Sequence, residues 1–281
     1  MGANIKAIRA RIKSVESTRH ITKAMELVAS SKVRRATAKM EQSRFYRSVM
    51  LDAFADLSAA DTKYSRARDA SLPVLYIVVA GDRGLAGGYN NNIFRSSAVM
   101  IRENDVILPI GKRAVEYYVH KNRRVITQEF LSCEDMTSDA CSRAAYQIRD
   151  RYDRGEIGGV RLIYTEFVSM LTQNPQMTHL LPLQKQEPNG EGTSKRSSIV
   201  VEYEPSAEAV LSALIPEYIA GVLYSSVCES FASELAARRS AMDTATKNAD
   251  EMLDELSLKY NRARQSAITQ EITEIVAGAN A

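Results

Sequence analysis

A glycine-rich turn is the feature of this sequence that most resembles a site for chemistry. The stretch "AGDRGLAGGYNNN", Ala80 to Asn92, follows the apolar run Leu75 to Val79 and precedes a helical pattern. Turns of this kind between a strand and a helix often cradle phosphate groups, because backbone N–H groups and the helix dipole both favour an anion. The first question is therefore whether this chain binds a nucleotide.

The glycine spacing does not fit the known nucleotide motifs. A dinucleotide fingerprint needs GxGxxG and an acid at the end of the next strand, but that strand ends in "GKR", and no Gly-Lys-Ser or Gly-Lys-Thr follows the turn. The glycines of the turn are Gly81, Gly84, Gly87 and Gly88. We interpret them as structural, with Asn90 to Asn92 capping the following helix, and keep a nucleotide-dependent enzyme as the alternative.

Other catalytic and metal-binding patterns are thin. The sequence contains no nucleophile elbow and no HExxH motif. The histidines share no motif and lie far apart, at His20, His120 and His179. The cysteines are odd in number and lack metal-ligand spacing, at Cys133, Cys141 and Cys228. We expect surface or helix-face histidines, buried or incidental thiols, and no catalytic residue, cofactor or metal.

Positive charge is concentrated at the start of the chain. Residues 1–47 carry 12 Lys or Arg and 3 acids, although the net charge of the whole chain is only +3. Such a basic segment could bind phosphate backbones, form a solvated outer face, or contact an acidic protein surface. The near absence of aromatic residues before Arg44 favours a protein over single-stranded nucleic acid.

The same basic segment has the pattern of a very long helix. Apolar residues recur at steps of three and four, and no proline or internal glycine occurs between Ala3 and Leu72. The apolar positions include Ile5, Ile8, Ile12, Val15, Ile21, Met25, Val28, Ala36 and Met40. A helix of about 55 residues with so narrow an apolar stripe needs a partner along its length.

A second long helix supplies that partner near the other end of the chain. Pro205 and Ser206 offer a helix start, and the apolar spacing then continues to Gly278, with kinks expected at Pro216 and Gly221. Between the two helices, strand and helix patterns alternate, which is typical of a mostly parallel sheet. We predict an antiparallel coiled coil of the terminal helices, residues 1–60 and 206–278, with an inserted Rossmann-like α/β domain, residues 72–203.

The insert is predicted in detail from its apolar runs. Its strands are expected at Val74–Val79, Val106–Ile110, Val125–Phe130, Val160–Phe167 and Ser198–Tyr203. Its helices are expected at Ile93–Arg102, Lys112–Lys121 and Ser138–Arg154. The polar stretch Lys185–Ser198 is predicted to be a loop. The chain shows no signal-peptide pattern and no uninterrupted apolar run long enough to span a bilayer, so we expect it in the cytoplasm unless a partner holds it at a membrane.

The extreme carboxyl end carries an apolar patch, formed by Ile268, Ile272, Ile275 and Val276. If the second helix is the longer one, its end projects past the first helix, and another protein must cover the patch. Folding back onto the insert is the alternative.

Three stretches closely resemble the gamma subunits of F-type ATP synthases, in the bacterial form. These are "IRARIKSVESTRHITKAMELVASSKVRRA", "DRGLAGGYNNNIF" and "YNRARQSAITQEITEIVAGANA", and they stand in the expected order. The resemblance covers essentially the whole chain. The resemblance implies a non-catalytic central-stalk rotor, present once per complex, whose paired helices turn inside a hexamer of three alpha and three beta subunits. It also implies a foot that contacts the epsilon subunit and the membrane c-subunit ring, at the cytoplasmic face of the cell membrane, with no nucleic acid bound.

The resemblance also carries roles onto particular residues. It places Lys23, Met25 and Arg238 near an acidic loop of a beta subunit, and Arg264 and Gln265, with Thr269 and Glu271 alongside, at a beta-subunit catch loop. The apolar patch becomes a bearing, and Tyr203 and Glu208 face the rotor ring. Such a rotor couples proton or other ion transport to ATP synthesis or hydrolysis on the beta subunits.

Overall fold

The computed structural model describes residues 2–58, 62–183, 204 and 206–279. Five helices and five strands are described in this part of the chain. The helices are α1 Gly2–Ser58, α2 Tyr89–Met100, α3 Lys112–His120, α4 Ser138–Asp153 and α5 Ala207–Ala279. The strands are β1 Val74–Val79, β2 Val106–Ile110, β3 Arg124–Val125, β4 Gly159–Phe167 and β5 Gln173–Leu181.

The two terminal helices are as long as the sequence predicts. Helix α1 has 57 residues and α5 has 73, which correspond to about 85 Å and about 110 Å at 1.5 Å per residue. Helix α5 is continuous through Pro216 and Gly221. Gly221 has a packing reason: a Cβ atom there would lie 2.9 Å from Cε1 of Tyr46, so α1 and α5 approach closely at this point.

The strands form one sheet in the order β3-β2-β1-β4-β5. All neighbouring pairs are parallel except β4 and β5, which are antiparallel. The predicted mostly parallel sheet with helices on its faces is therefore confirmed. The predicted strand at 198–203 and the predicted loop at 185–198 lie outside the described residues.

Two strands differ from their predictions. Strand β3 ends at Val125 instead of Phe130, because the chain leaves the sheet edge there: the Phe130 carbonyl accepts from Gly111 N and its ring is buried in the core. Strand β5 was not predicted. Its sequence "QNPQMTHLL" is polar and contains Pro175, which an edge strand tolerates because one side of its backbone has no sheet partner.

The sheet is covered on both faces. Leu75, Ile77 and Val79 of β1 belong to one buried cluster with α4 and the first half of α5. The alternate residues Tyr76 and Val78 belong to a second cluster with α2 and α3. A strand buried on both sides reads as a continuous apolar run, which is why β1 was predicted with its observed bounds.

The contacts divide the chain into two compact units. The sheet unit, Lys32–Ala237, contains the sheet, α2, α3, α4 and the adjoining parts of the two long helices. The paired-helix unit combines Met1–Ser31 with Arg238–Ala281. The division into residues 1–60, 72–203 and 206–278 stays a prediction.

The helices of the paired-helix unit run antiparallel. Arg9 donates from Nη2 to the Tyr260 hydroxyl at 3.1 Å, Arg19 forms an ion pair with Asp250, and Thr246 lies opposite Thr22. Partner numbers thus fall along α5 as they rise along α1. The buried seam repeats every seven residues, with α1 contributing Val15, Thr22 and Ala29 and α5 contributing Met242 and Ala249.

This seam corrects two of the predicted seam positions. Ile21 and Val28 are exposed, while the neighbouring Thr22 and Ala29 are buried. The smaller side chains at the seam allow the two helices to approach, and the larger apolar side chains point outward.

Ile77 lies in the fully buried centre of the sheet. We expect Ile77→Ala to lower the free energy of unfolding of the sheet unit by about 2–5 kcal/mol, because the substitution leaves a cavity that the packed faces cannot fill. The control Val99→Ala removes a side chain that is 87% exposed and should change it by less than about 0.5 kcal/mol. Urea unfolding followed by tyrosine fluorescence measures both; equal effects would show that the sheet is not the core of this unit.

Candidate interaction site

The glycine-rich turn is held by its own side chains. Gly81 N donates to Asn90 Oδ1 at 2.8 Å, and Asn90 Nδ2 donates to the Arg83 carbonyl at 3.2 Å. Helix α2 begins at Tyr89, so the three asparagines lie inside its first turn, and the N-cap residue Gly88 provides no side-chain cap. The predicted capping role of Asn90 to Asn92 is therefore wrong. The Asn90 side chain instead forms hydrogen bonds with Gly81 and Arg83 and so stabilises the turn that follows β1.

A buried carboxylate from α5 occupies the space beside this turn. A Cβ atom on Gly81 would lie 2.8 Å from Cδ of Glu234, a residue that is 2% exposed. Burial raises the pKa of Tyr89, and the charge of Glu234 raises it further. Burial also raises the pKa of Cys133, followed by the charges of Asp82 and Glu234. A carboxylate in this position repels a phosphate group and fills the room that it would need. The geometry therefore disfavours a nucleotide at this turn and supports its structural interpretation.

The predicted contact residues of the first helix lie in the paired-helix unit. Lys23 Nζ lies 2.9 Å from Glu26 Oε2, and Met25 is half-buried. Lys23 also helps to lower the pKa of Asp243, of which the main cause is a hydrogen bond from Lys247. Arg238, on α5, is half-buried in the same unit.

The structure adds an apolar surface that the sequence reading missed. Around Met25, three large apolar side chains are 57% to 60% exposed: Ile21, Leu27 and Val28. The seven-residue spacing of Val15, Thr22 and Ala29 could have predicted this surface from the sequence. It indicates that these three positions face α5, so that their neighbours Ile21 and Val28 face away from it. This region of α1 therefore combines basic charge with exposed apolar area.

The end of α5 has no α1 residue beside it. Because Tyr260 contacts Arg9, continuing the same register brings Gly2, the first residue of α1, opposite residue 267. About three further turns of α5 follow, up to Ala279. The apolar patch of Ile268, Ile272, Ile275 and Val276 is 46% to 70% exposed, so the described chain does not cover it. The described residues therefore leave this end of α5 exposed, as the sequence predicts, and its cover by another protein stays a prediction.

Of the predicted catch residues, Arg264 and Gln265 precede the unpaired end of α5, and Thr269 and Glu271 lie within it. Arg264, Gln265 and Glu271 are exposed, and Thr269 donates from Oγ1 to the Gln265 carbonyl at 2.9 Å. Arg264 and Ile268 are four residues apart, so they share one helix face. A cation thus stands next to the apolar patch, where one partner surface can contact both.

The predicted foot residues are only partly described. Glu208 is exposed in the first turn of α5, and Ser206 caps this helix, since its Oγ accepts from Ala209 N at 3.2 Å. The predicted helix start at Ser206 is thereby confirmed. Tyr203 lies outside the described residues.

The histidines and cysteines have ordinary structural surroundings. His20 and His120 are exposed on helices, as predicted, whereas His179 is half-buried on strand β5. Burial, followed by the nearby Arg161, lowers the pKa of His179. All three cysteines are buried and free, and burial raises the pKa of Cys141 to about 12. In the described part of the chain, no three His, Cys, Asp or Glu side chains are grouped as a metal site would require.

One described helix is long and apolar enough to cross a membrane by length and composition alone. It is the stretch Glu208–Gly278 of α5, but 67% of its most apolar window is buried inside the chain. Such burial is typical of a core helix, and this window lies where α5 packs on the sheet.

Comparison with known proteins agrees with this architecture. A family described as ATP synthase matches residues 4–281. The ATP synthase gamma chain of Ruminococcus albus is 44% identical, covering 97% of this chain and 96% of the relative. The sodium-ion-specific ATP synthase gamma chain of Acetobacterium woodii is 38% identical, covering 100% and 99%.

Solved structures share the fold. A chain of the Euglena gracilis mitochondrial ATP synthase, solved as OSCP/F1/c-ring in rotational state 3, gives a TM-score of 0.71 at 18% identity, covering 100% of this chain and 95% of that one. A chain of the Tetrahymena thermophila mitochondrial ATP synthase, solved as central stalk and c-ring, gives 0.58 at 21% identity, covering 80% and 99%.

The fold and the exposed surfaces define a class of protein: an antiparallel coiled coil with an α/β domain inserted between its helices, with basic and apolar residues exposed on the coiled coil. Within that class, the chain belongs to the family of ATP synthase gamma chains, subunits of a complex that makes ATP.

We expect the isolated chain to bind neither MgATP nor MgADP at the glycine-rich turn, because Glu234 fills and charges the space beside Gly81. Isothermal titration calorimetry measures this directly, with Glu234→Gln as a matched variant that removes the charge and keeps the volume. Micromolar affinity, about −8 kcal/mol, in the unsubstituted chain would contradict the structural interpretation.

Proposed function

We propose that this chain is the central-stalk rotor of its ATP synthase. It transmits the rotation of an ion-driven membrane ring to three catalytic beta subunits and thereby couples proton or other ion transport to ATP synthesis or hydrolysis. The observation that carries the proposal is the uncovered end of α5, with its exposed apolar patch next to Arg264. The names of the structural relatives, which include a central stalk, a c-ring and rotational states, support it.

The mechanism follows from asymmetry. A single two-helix coiled coil presents a different surface in each direction, so three identical beta subunits around it meet three different sets of contacts. A contact that favours one conformation of a catalytic site over another shifts the equilibrium of that site. Rotation then carries each site through the same sequence of states. In this proposal the chain is non-catalytic, because it acts only through these contacts.

The surface around Met25 is proposed to meet an acidic loop of a beta subunit. Lys23 and Arg238 supply positive charge, and the exposed Ile21, Leu27 and Val28 supply apolar area that the chain does not bury. Charge sets which partner binds and in which orientation, while apolar burial adds affinity.

The end of α5 is proposed to act in two ways. Arg264 and Gln265, with Thr269 and Glu271 alongside, form directional hydrogen bonds with a beta-subunit catch loop, and such bonds resist rotation at particular angles. The apolar patch of four residues turns within a sleeve of the hexamer, because hydrophobic contact has little angular preference.

The other partners are assigned to the foot. Tyr203 and Glu208 are proposed to face the c-subunit ring, and the inserted domain to contact the epsilon subunit. One copy of the chain then stands at the cytoplasmic face of the cell membrane, attached through the complex.

The structure gives less support to a nucleic-acid-binding coiled coil. Part of the positive charge of α1 is already paired within each unit, by Arg19 with Asp250 in one and by Lys32 with Glu134 in the other. A nucleotide-dependent enzyme is disfavoured by Glu234, as described above.

We expect the chain to co-purify with its complex as three alpha, three beta and one copy of this chain, since one asymmetric rotor serves three sites. Native mass spectrometry of an affinity-purified complex measures the ratio. Two or more copies per hexamer, or purification without alpha and beta subunits, would contradict the proposal.

We expect Arg264→Ala to weaken the angle-dependent catch and to shorten rotational dwell times at least roughly tenfold, as for the loss of one charge-assisted hydrogen bond. Arg262→Ala is the matched control, because Arg262 is also exposed but is two residues away and points to a different side of α5. Single-molecule rotation assays measure dwell times and torque. Unchanged dwell times in Arg264→Ala, or equal changes in both variants, would contradict the assignment.

A further inference from the structure

A buried glutamate joins three elements of the sheet unit. Glu229 of α5 has a side chain that is only 3% exposed. It forms an ion pair with Arg44 of α1, and a second cation of α1, Arg47, lies 3.9 Å from its other oxygen. Glu229 Oε1 also accepts from the backbone N–H of Phe167, at the end of β4, at 3.1 Å. One carboxylate therefore connects α5, α1 and the sheet.

The two arginines extend this connection. Arg44 donates from Nη2 to the Phe167 carbonyl at 2.8 Å, so Phe167 is bound at both its N–H and its carbonyl. Arg47 donates to the Tyr164 hydroxyl at 3.3 Å, and its guanidinium lies 5.6 Å from the centre of the Tyr164 ring. Removal of Arg44 would leave the buried Glu229 carboxylate with only the more distant Arg47 as a counter-charge, and such a loss of a partner from a buried charge is costly.

Polar contacts continue from Glu229 along the next turn of α5. Ser230 Oγ accepts from Thr165 N at 3.0 Å, and Ser233 Oγ donates to the Thr165 carbonyl at 3.4 Å. All these side chains of α5 are buried. Helix α5 is thus hydrogen-bonded to the main chain of β4, although elsewhere the two elements belong to one apolar cluster.

We propose that Glu229, with Arg44, Arg47, Ser230 and Ser233, is the torque-bearing joint between the two long helices and the α/β sheet. The inference rests on the proposed rotor function, and it names the residues that transmit torque between the long helices and the sheet. Apolar contacts permit sliding, because their energy depends little on orientation, whereas hydrogen bonds lose energy steeply when they are bent or stretched. Glu229 is accordingly a positioning residue that holds the helices at a fixed angle to the sheet.

The first experiment tests the joint in the isolated full-length chain, independently of rotation. In Glu229→Gln the side chain keeps its volume and an oxygen for Phe167 N, but it loses the charge that holds the two arginines. We expect hydrogen exchange at the amides of Thr165 and Phe167 to become roughly tenfold faster, as for a hydrogen-bond network weakened by the loss of its charge. Asp250→Asn is the matched control, because it breaks an α1–α5 ion pair in the paired-helix unit and should leave these two amides unchanged.

The second experiment measures stiffness in the assembled complex. With the hexamer fixed and a probe attached to the sheet unit, we expect the angular fluctuations of the probe to widen roughly twofold in Glu229→Gln and not in Asp250→Asn. ATP hydrolysis should be nearly unchanged, while ion pumping per ATP falls, which a general loss of stability would not produce. Ser230→Ala, which removes only the hydroxyl that binds Thr165 N, tests the same joint with little risk to folding and should widen the fluctuations in the same direction.

The outcomes separate the two proposals. The proposed joint would be overturned if amide exchange became faster in both Glu229→Gln and Ser230→Ala while the angular fluctuations and ion pumping stayed unchanged. That result would not contradict the rotor function. Absence of rotation in the unsubstituted complex would overturn the rotor function instead. If Glu229→Gln does not assemble, unchanged fluctuations in Ser230→Ala alone would overturn the joint.

Discussion

The antiparallel pairing of α1 and α5 through a seam of mostly small residues is the interaction on which the rest of this structure depends. Val15 and Met242 also belong to the seam, but where Thr22, Ala29 and Ala249 are buried the two backbones can approach and leave little room for larger side chains. Large apolar residues such as Ile21 and Val28 therefore point outward, although solvent exposure alone would not favour them there. The packing that stabilises the pair thus also creates the apolar surface that we propose meets a partner.

The unequal lengths of the two helices also expose apolar residues, because α5 extends past the point where α1 can pair with it. A two-helix pair buries its apolar residues only where both helices are present, and α1 begins opposite about residue 267 of α5. Beyond that point α5 continues as a single helix, and Ile268 to Val276 are exposed. A single helix of this length in water is marginal without tertiary contacts, which agrees with the proposal that a protein sleeve surrounds it.

Helix α5 also determines the character of the α/β unit. In nucleotide-binding folds of this type, the glycine-rich turn after the first strand lies open to the ligand. Here the same helix that pairs with α1 packs on the sheet and carries Glu234 to the turn and Glu229 to the end of β4. The polar contacts that Glu229, Ser230 and Ser233 make with β4 attach the sheet to α5, which is consistent with a structural role for the unit.

Much of the fold could be predicted from the sequence, because local patterns report burial directly. The continuous apolar run of β1 and the absence of helix breakers in α1 gave bounds close to those observed. Strand β5 could not be predicted in this way, since Pro175 and its polar residues are acceptable only at a sheet edge, and an edge is defined by which strands pair. The capping role given to Asn90 failed for a related reason: its true partner, Gly81, is a neighbour only after the turn has formed.

The sequence by itself determined the two long helices, the inserted sheet, the uncovered apolar end and the membership of the ATP synthase gamma chains, because each depends on periodicity, on breakers or on motifs that are local in the chain. Only the tertiary structure decided which face of α1 is buried, what fills the space beside Gly81, and that Glu229 joins Arg44 to Phe167. These facts depend on contacts between residues that are more than 60 positions apart in the chain, and no local pattern specifies which of several chemically suitable partners will meet.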